Sequence, residues 1–184
     1  FIFLMRISKT TTKSGDKGET GLGDGTRISK NNIRINVLGE IDHLNSILGW
    51  AAVNAPKNIK VDLELIQQDL FNIGGELSIP NSNMNLLTKG RILWLESEIE
   101  NLNGELPPLK EFILPGGSEL SARIHIARTE TRNTERTLVA LFVNENRNDL
   151  HLVYLNRLSD YLFILARKVH SKENLKEIQW NHKK

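Results

Sequence analysis

Residues 118–145 read SELSARIHIARTETRNTERTLVALFVNE, and their spacing decides the fold. Leu120, Ile124, Ala127, Thr131, Thr134, Leu138 and Leu141 step by four and three residues. At 3.6 residues per turn those positions share one face of a helix. Ser118 stands just ahead of them, where a hydroxyl accepts from the first free backbone N–H groups. One long helix is therefore predicted from about Glu119 to Glu145. A helix with a single apolar stripe must bury it against partners.

The partners lie on both sides in the chain. Upstream, Val37, Leu38, Ile41, Leu44, Leu48 and Ala51 mark a helix from about Arg34 to Asn54, ended by Pro56; Ile33 to Val37 reads equally well as extended. Leu63, Ile66, Leu70, Ile73 and Leu77 mark a second, from about Lys60 to Ser78, with Pro80 after it. Ile92, Leu95, Ile99 and Leu102 mark a third, from about Thr88 to Asn103, stopped by Gly104. Downstream, Leu152, Leu155, Leu158, Leu162, Leu165 and Val169 mark a fifth, from about Asp149 to His170. No strand pattern is long enough to build a sheet, and no repeat is present. The expected fold is all-α, an antiparallel five-helix bundle with a glycine-rich N-terminal loop. The expected organisation is one domain over 1–184, with a loop over 6–32, the bundle over 33–170 and a lysine-rich tail over 171–184 that frays.

Composition removes several classes of function. Lys and Arg outnumber Asp and Glu by 24 to 22, and a net charge of +2 does not by itself call for a nucleic-acid partner. The absence of cysteine excludes disulfides, thiolate metal sites and cysteine nucleophiles. No apolar run approaches the ~20 residues that span a bilayer. Phe1 to Leu4 are too few for a signal-peptide core, and Met5 is the expected natural start. A cytoplasmic location is expected.

Within the long helix His125, Arg128, Arg132, Glu135 and Arg136 also recur at three- and four-residue steps, beside the apolar stripe. Guanidinium forks match phosphate oxygens, so three arginines on one face suit a polyanion. Taken alone, the same face reads more readily as solvated surface with a Glu–Arg pair. The N-terminal loop shifts the balance. Thr12-Lys13-Ser14-Gly15-Asp16-Lys17-Gly18 offers hydroxyls, ammonium groups and open backbone donors, the chemistry of a phosphate cradle. It is neither a Walker A motif nor a dinucleotide fingerprint. Asn156 sits in an otherwise apolar helix and needs a partner, either another helix or a ligand. Asp42, on the first helix, reads at this level as a partner for an arginine of the fourth. The loop Phe112-Ile113-Leu114-Pro115-Gly116-Gly117 is apolar and then flexible; it either lines a pocket for a flat ligand or tucks onto the end of the bundle.

Four stretches, in order over roughly residues 10–170, resemble the ATP:cob(I)alamin adenosyltransferases of the propanediol-utilisation and methylmalonic-aciduria type. They are Thr12 to Gly18, Phe112 to Gly117, His125 to Thr129 with Arg132 to Arg136, and Tyr154 to Asp160. The resemblance implies a homotrimer with active sites between subunits, supplied by a reductase that delivers cob(I)alamin, with no nucleic acid and no membrane. It implies that Thr12, Lys13, Ser14, Gly15, Thr20, Gly21 and Lys30 wrap ATP, and that Arg132, Glu135, Arg136 and Asn156 complete the nucleotide site. It implies a salt bridge between Asp42 and Arg128 across the subunit boundary, and Phe112 against the cobalt face of the corrin. Arg132, Phe112, Arg128 and Asp42 are the residues expected to carry catalysis. Mg²⁺ is expected on the phosphates, and no metal site built from protein side chains is expected. The chain departs from the family at two places: Asn133 and Thr134 stand in a stretch that usually reads Arg-Arg-Ala-Glu-Arg, and His43 stands where Asp-Glu-Leu is usual.

In the implied reaction cob(I)alamin is itself the nucleophile, attacking the 5′ carbon of ATP while triphosphate leaves, so no protein base is needed. That agrees with the lack of a Ser-His-Asp or paired-carboxylate constellation. Two rivals separate cleanly. A nucleotide sensor without catalysis would share the loop and the arginines but not bind corrin. A carboxylate di-iron bundle needs Glu-x-x-His pairs on two helices, and none stands at suitable positions.

Overall fold

The structure, a computed structural model, describes residues 11, 13–81, 83–143, 145, 149–173 and 176–182. Met5 and Thr12 lie outside them. Five helices form: α1 Ile33–Ala52, α2 Lys57–Leu77, α3 Lys89–Gly104, α4 Glu119–Phe142 and α5 Leu150–Lys172. α4 packs between α5 and α1, with α2 against α1 and α3 against α5. All seven positions of the α4 stripe are buried, and Ser118 caps the helix by accepting from the Ser121 N–H. Ile33 to Val37 is helical: the Asn32 side chain accepts from the Arg34 N–H and starts α1 there. No helix among the described residues is long and apolar enough to cross a membrane.

Several boundaries differ from the sequence pattern. α2 begins three residues early, because Pro56 needs no backbone donor at a helix start and Ile59 adds a buried rung below Leu63. α4 stops at Phe142, and Glu145 turns back to pair with Arg34. Arg34 also donates to the Leu77 carbonyl at 2.7 Å, so one buried guanidinium ties the start of α1 to the ends of α2 and α4. At the other end α5 runs two residues past His170.

The glycine-rich loop, expected to be irregular, contains a small antiparallel hairpin, β1 Glu19–Gly21 paired with β2 Arg27–Ser29. Its turn is local chemistry. Asp24 Oδ1 accepts from the Thr26 N–H at 2.8 Å, and Gly25 takes φ +85°, which favours glycine. Strands of three residues are too short for alternation to register as a pattern.

Residues 176–182 of the tail, expected to fray, are instead paired with the apolar loop. Leu114 N–H donates to the Ile178 carbonyl at 2.8 Å, and Trp180 N–H to the Phe112 carbonyl at 2.6 Å. Residues 176–182 thus lie as a strap along the apolar loop, held also by Arg167, which donates to Glu177 at 2.8 Å.

Candidate functional site

The arginine face is the first component. His125 is buried, and that burial, with the Arg128 charge beside it, pushes its pKa down to about 4. The neutral ring accepts from Arg128 Nε at 3.4 Å. Burial, and then the neighbouring Arg132, make the charge on Arg128 harder to hold, a condition that an incoming anion relieves. Arg132 is exposed and makes no hydrogen bond or ion pair among the described residues. Arg136 donates to Asn133 Oδ1 at 3.2 Å. None of the three arginines pairs with a carboxylate among the described residues. That argues against a self-neutralised Glu–Arg face. Glu135 instead accepts from Asn156 of α5 at 3.3 Å, so Asn156 makes an interhelical bond. Its own oxygen accepts from Arg157, which in turn donates to Glu96 of α3.

The glycine loop is the second component. Arg27 Nη2 donates to the Ser14 carbonyl at 2.7 Å, and the Lys30 N–H to the Gly18 carbonyl at 2.8 Å. The Lys30 ammonium lies over Gly15, 3.0 Å from where a Cβ would stand. Lys13 holds φ +58°, unusual for a residue with a side chain. The hairpin therefore folds Lys13, Ser14, Gly15 and Lys30 together, with Thr20 and Gly21 on β1. It is anchored to the end of α2 by the Gly23 N–H, which donates to the Ser78 carbonyl at 2.9 Å. No hydrogen bond among the described residues joins this loop to Arg132, Glu135 or Arg136.

The third component is the apolar loop. Phe112 is 78% exposed, so it is not core. The rest of its loop borders a cavity of about 440 Å³ lined by Ile113, Leu114, Ser121, His125, Arg167 and His170, among others. Gly117 takes φ +98°, and a side chain there would collide with the His170 ring. The strap adds Ile178 and Trp180, 66% and 50% exposed, close to Phe112. An unusual amount of apolar surface is thus left open around one loop.

Asp42 is exposed and has no side-chain partner among the described residues, so the pairing with an arginine of α4 does not form within the chain. Three groups escaped the sequence pattern. The strap is one. His170 and Arg167, polar groups on the cavity wall, are another. The third is a pair of buried networks: Asp69 with Arg91 and Tyr154, and Glu76 with His151. All depend on residues far apart in sequence; only the paired glycines 116 and 117 hinted at a close approach.

Comparisons with known proteins identify the family. The profile of the family described as cobalamin adenosyltransferase matches residues 10–169. A cobalamin adenosyltransferase of Cupriavidus metallidurans is 44% identical, over 97% of this chain and 97% of its own. A corrinoid adenosyltransferase of Bacillus subtilis is 41% identical, over 94% and 92%. Among solved structures, a phenylalanine-to-alanine variant of a PduO-type ATP:corrinoid adenosyltransferase from Lactobacillus reuteri, complexed with cobalamin and ATP, superposes with a TM-score of 0.90. It is 36% identical, and the match covers 95% of this chain and 100% of that one. With the fold, the order of the motifs and the near-full-length identity all in agreement, the chain belongs to the cobalamin adenosyltransferase family.

Proposed function

We propose that this chain transfers the 5′-deoxyadenosyl group of ATP to cob(I)alamin, giving adenosylcobalamin and triphosphate. The observation that carries the nucleotide half is the α4 face, on which Arg128, Arg132 and Arg136 stand without carboxylate partners among the described residues. The apolar loop and its cavity carry the corrin half. The Lactobacillus reuteri relative was solved with both of these ligands.

The chemistry follows from the residues. Cobalt's electron pair forms a bond to C5′, the C5′–O bond breaks, and its pair leaves on triphosphate. Arg132 and Arg136 stabilise that growing charge, and Ser14, Gly15 and Lys30 hold the phosphates in line. Mg²⁺ would neutralise charge on the same leaving group, and Glu135, a carboxylate engaged by Asn156, would be the residue to offer it an oxygen. Phe112 presents an apolar ring at the cobalt face, where it excludes water and basic ligands and so favours the electron-rich metal.

Among the described residues the glycine loop and the arginine face are not bonded to each other, and the Asp42 side chain has no partner. Both fit a homotrimer in which one subunit's loop meets its neighbour's arginines and Asp42 pairs with Arg128 across the boundary. A reductase supplies the cob(I)alamin, and the reaction belongs to the cytoplasm. The whole of 1–184 acts as one adenosyltransferase domain: loop, bundle and strap. Anaerobic incubation with ATP and cob(I)alamin tests the proposal; a light-sensitive cobalt–carbon product supports it, and nucleotide binding without corrin binding would replace it with a sensor.

A further inference from the structure

We propose that Glu40 and His43 of α1, with Glu130 of α4, form a binding site for a divalent cation of the zinc class, outside the adenosyl-transfer site. Glu40 and His43 are one helical turn apart, and Glu130 faces them across the α1–α4 contact. One ligand atom from each lies within 4.8 Å of the others. His43 Nδ1 is 3.3 Å from Glu130 Oε1. Zinc bonds of ~2.0–2.2 Å place neighbouring ligands roughly 3–3.5 Å apart, so small side-chain rotations close the set.

Charge points the same way. No lysine or arginine pairs with either carboxylate among the described residues. Two carboxylates held side by side repel unless something positive comes between them. A divalent cation supplies the positive charge that two ionised carboxylates call for. A donor set with one imidazole favours zinc-like ions over calcium or magnesium. Asn133 Nδ2 donates to Glu40 Oε2 at 2.9 Å and to Glu130 Oε1 at 3.1 Å, which orients both carboxylates; Glu130 Oε1 is also the oxygen that faces His43. Glu130 is 18% exposed and well fixed, whereas the His43 side chain is 61% exposed, so an ion has a way in and water can fill its remaining positions.

The Glu-x-x-His turn at 40–43 stands alone, without the second pair of a di-iron site, so one ion is expected. Its effect is to clip α1 to α4.

The test uses the whole protein stripped with chelator, free of nucleotide and corrin. Zn²⁺ is titrated by calorimetry, and Co²⁺ serves as an absorbance probe. One equivalent per chain should bind and raise the melting temperature. His43→Ala and Glu130→Gln should each weaken binding by about tenfold or more. His43 is mostly exposed, so His43→Ala should fold and keep its far-UV signal. His182→Ala, in the strap, should bind as the parent does. Failure of Zn²⁺ to saturate a site, or equal binding by His43→Ala and the parent, would overturn the proposal. Neither result would bear on adenosyl transfer.

Discussion

Phe112→Ala separates a ring that works on cobalt from one that merely packs. Truncating a buried phenylalanine costs about 3–5 kcal/mol, through lost transfer energy and the cavity left behind. Phe112 is 78% exposed, so only about a fifth of its surface is at stake. The cost scales to about 1 kcal/mol or less, a melting shift of at most about 4 °C for a domain of this size. The loop should keep its course, because the bonds to the strap run through the backbone of Phe112 and Leu114. The cobalt chemistry should change far more: without the ring, water or a base reaches the metal, and reduction to the nucleophilic state becomes harder. The assay is a thermal melt and a cobalamin absorbance spectrum on the same preparation, with the Michaelis constant for ATP measured alongside. A small melting shift, an altered cobalt spectrum and an unchanged ATP constant are expected. A melting loss of ten degrees or more with an unchanged cobalt spectrum would refute the catalytic role.

Other perturbations have equally definite outcomes. Arg132 is exposed and unbonded among the described residues, so Arg132→Ala should leave helix content and melting alone while kcat falls about 10²–10³-fold, as for loss of one donor to a developing anion; near-normal turnover would return the face to solvated surface. Asp42→Ala should shift sedimentation from trimer toward monomer and lower activity together, and a fully active monomer would contradict the shared site. The pKa of His125 is pushed down from 6.5 to about 4, so as pH falls the unfolded chain takes the proton first. Stability should therefore decline between about pH 6.5 and 4, by at most about 1.4 kcal/mol per pH unit, and His125→Gln should flatten that decline in a melting series.

The helices were legible because burial in a bundle repeats a local pattern. The α4 stripe is entirely buried, and Asn32 and Ser118 cap where side-chain oxygens meet free N–H groups. Where the pattern misled, tertiary partners had moved the boundary. Glu145 left α4 for Arg34, and the strap at 176–182 found order by pairing with a loop some sixty residues earlier in the chain. The candidate site was legible as residue types: the arginine spacing, the glycine loop and the Phe112 loop all emerge at single addresses. Its environment was not. That Lys30 folds over Gly15, that Arg27 grips Ser14, and that His170 leaves no room for a side chain at Gly117 are distances between elements. The meeting of Glu40, His43 and Glu130 was hidden for the same reason, since it needs α1 and α4 laid side by side.

The most direct test of the central claim is the product balance of a single anaerobic reaction with ATP and cob(I)alamin. Adenosyl transfer from C5′ demands one triphosphate for each light-sensitive cobalt–carbon bond formed, with the two rising together. Accumulation of ADP and phosphate as the main products, or triphosphate release without a cobalt–carbon product, would contradict it.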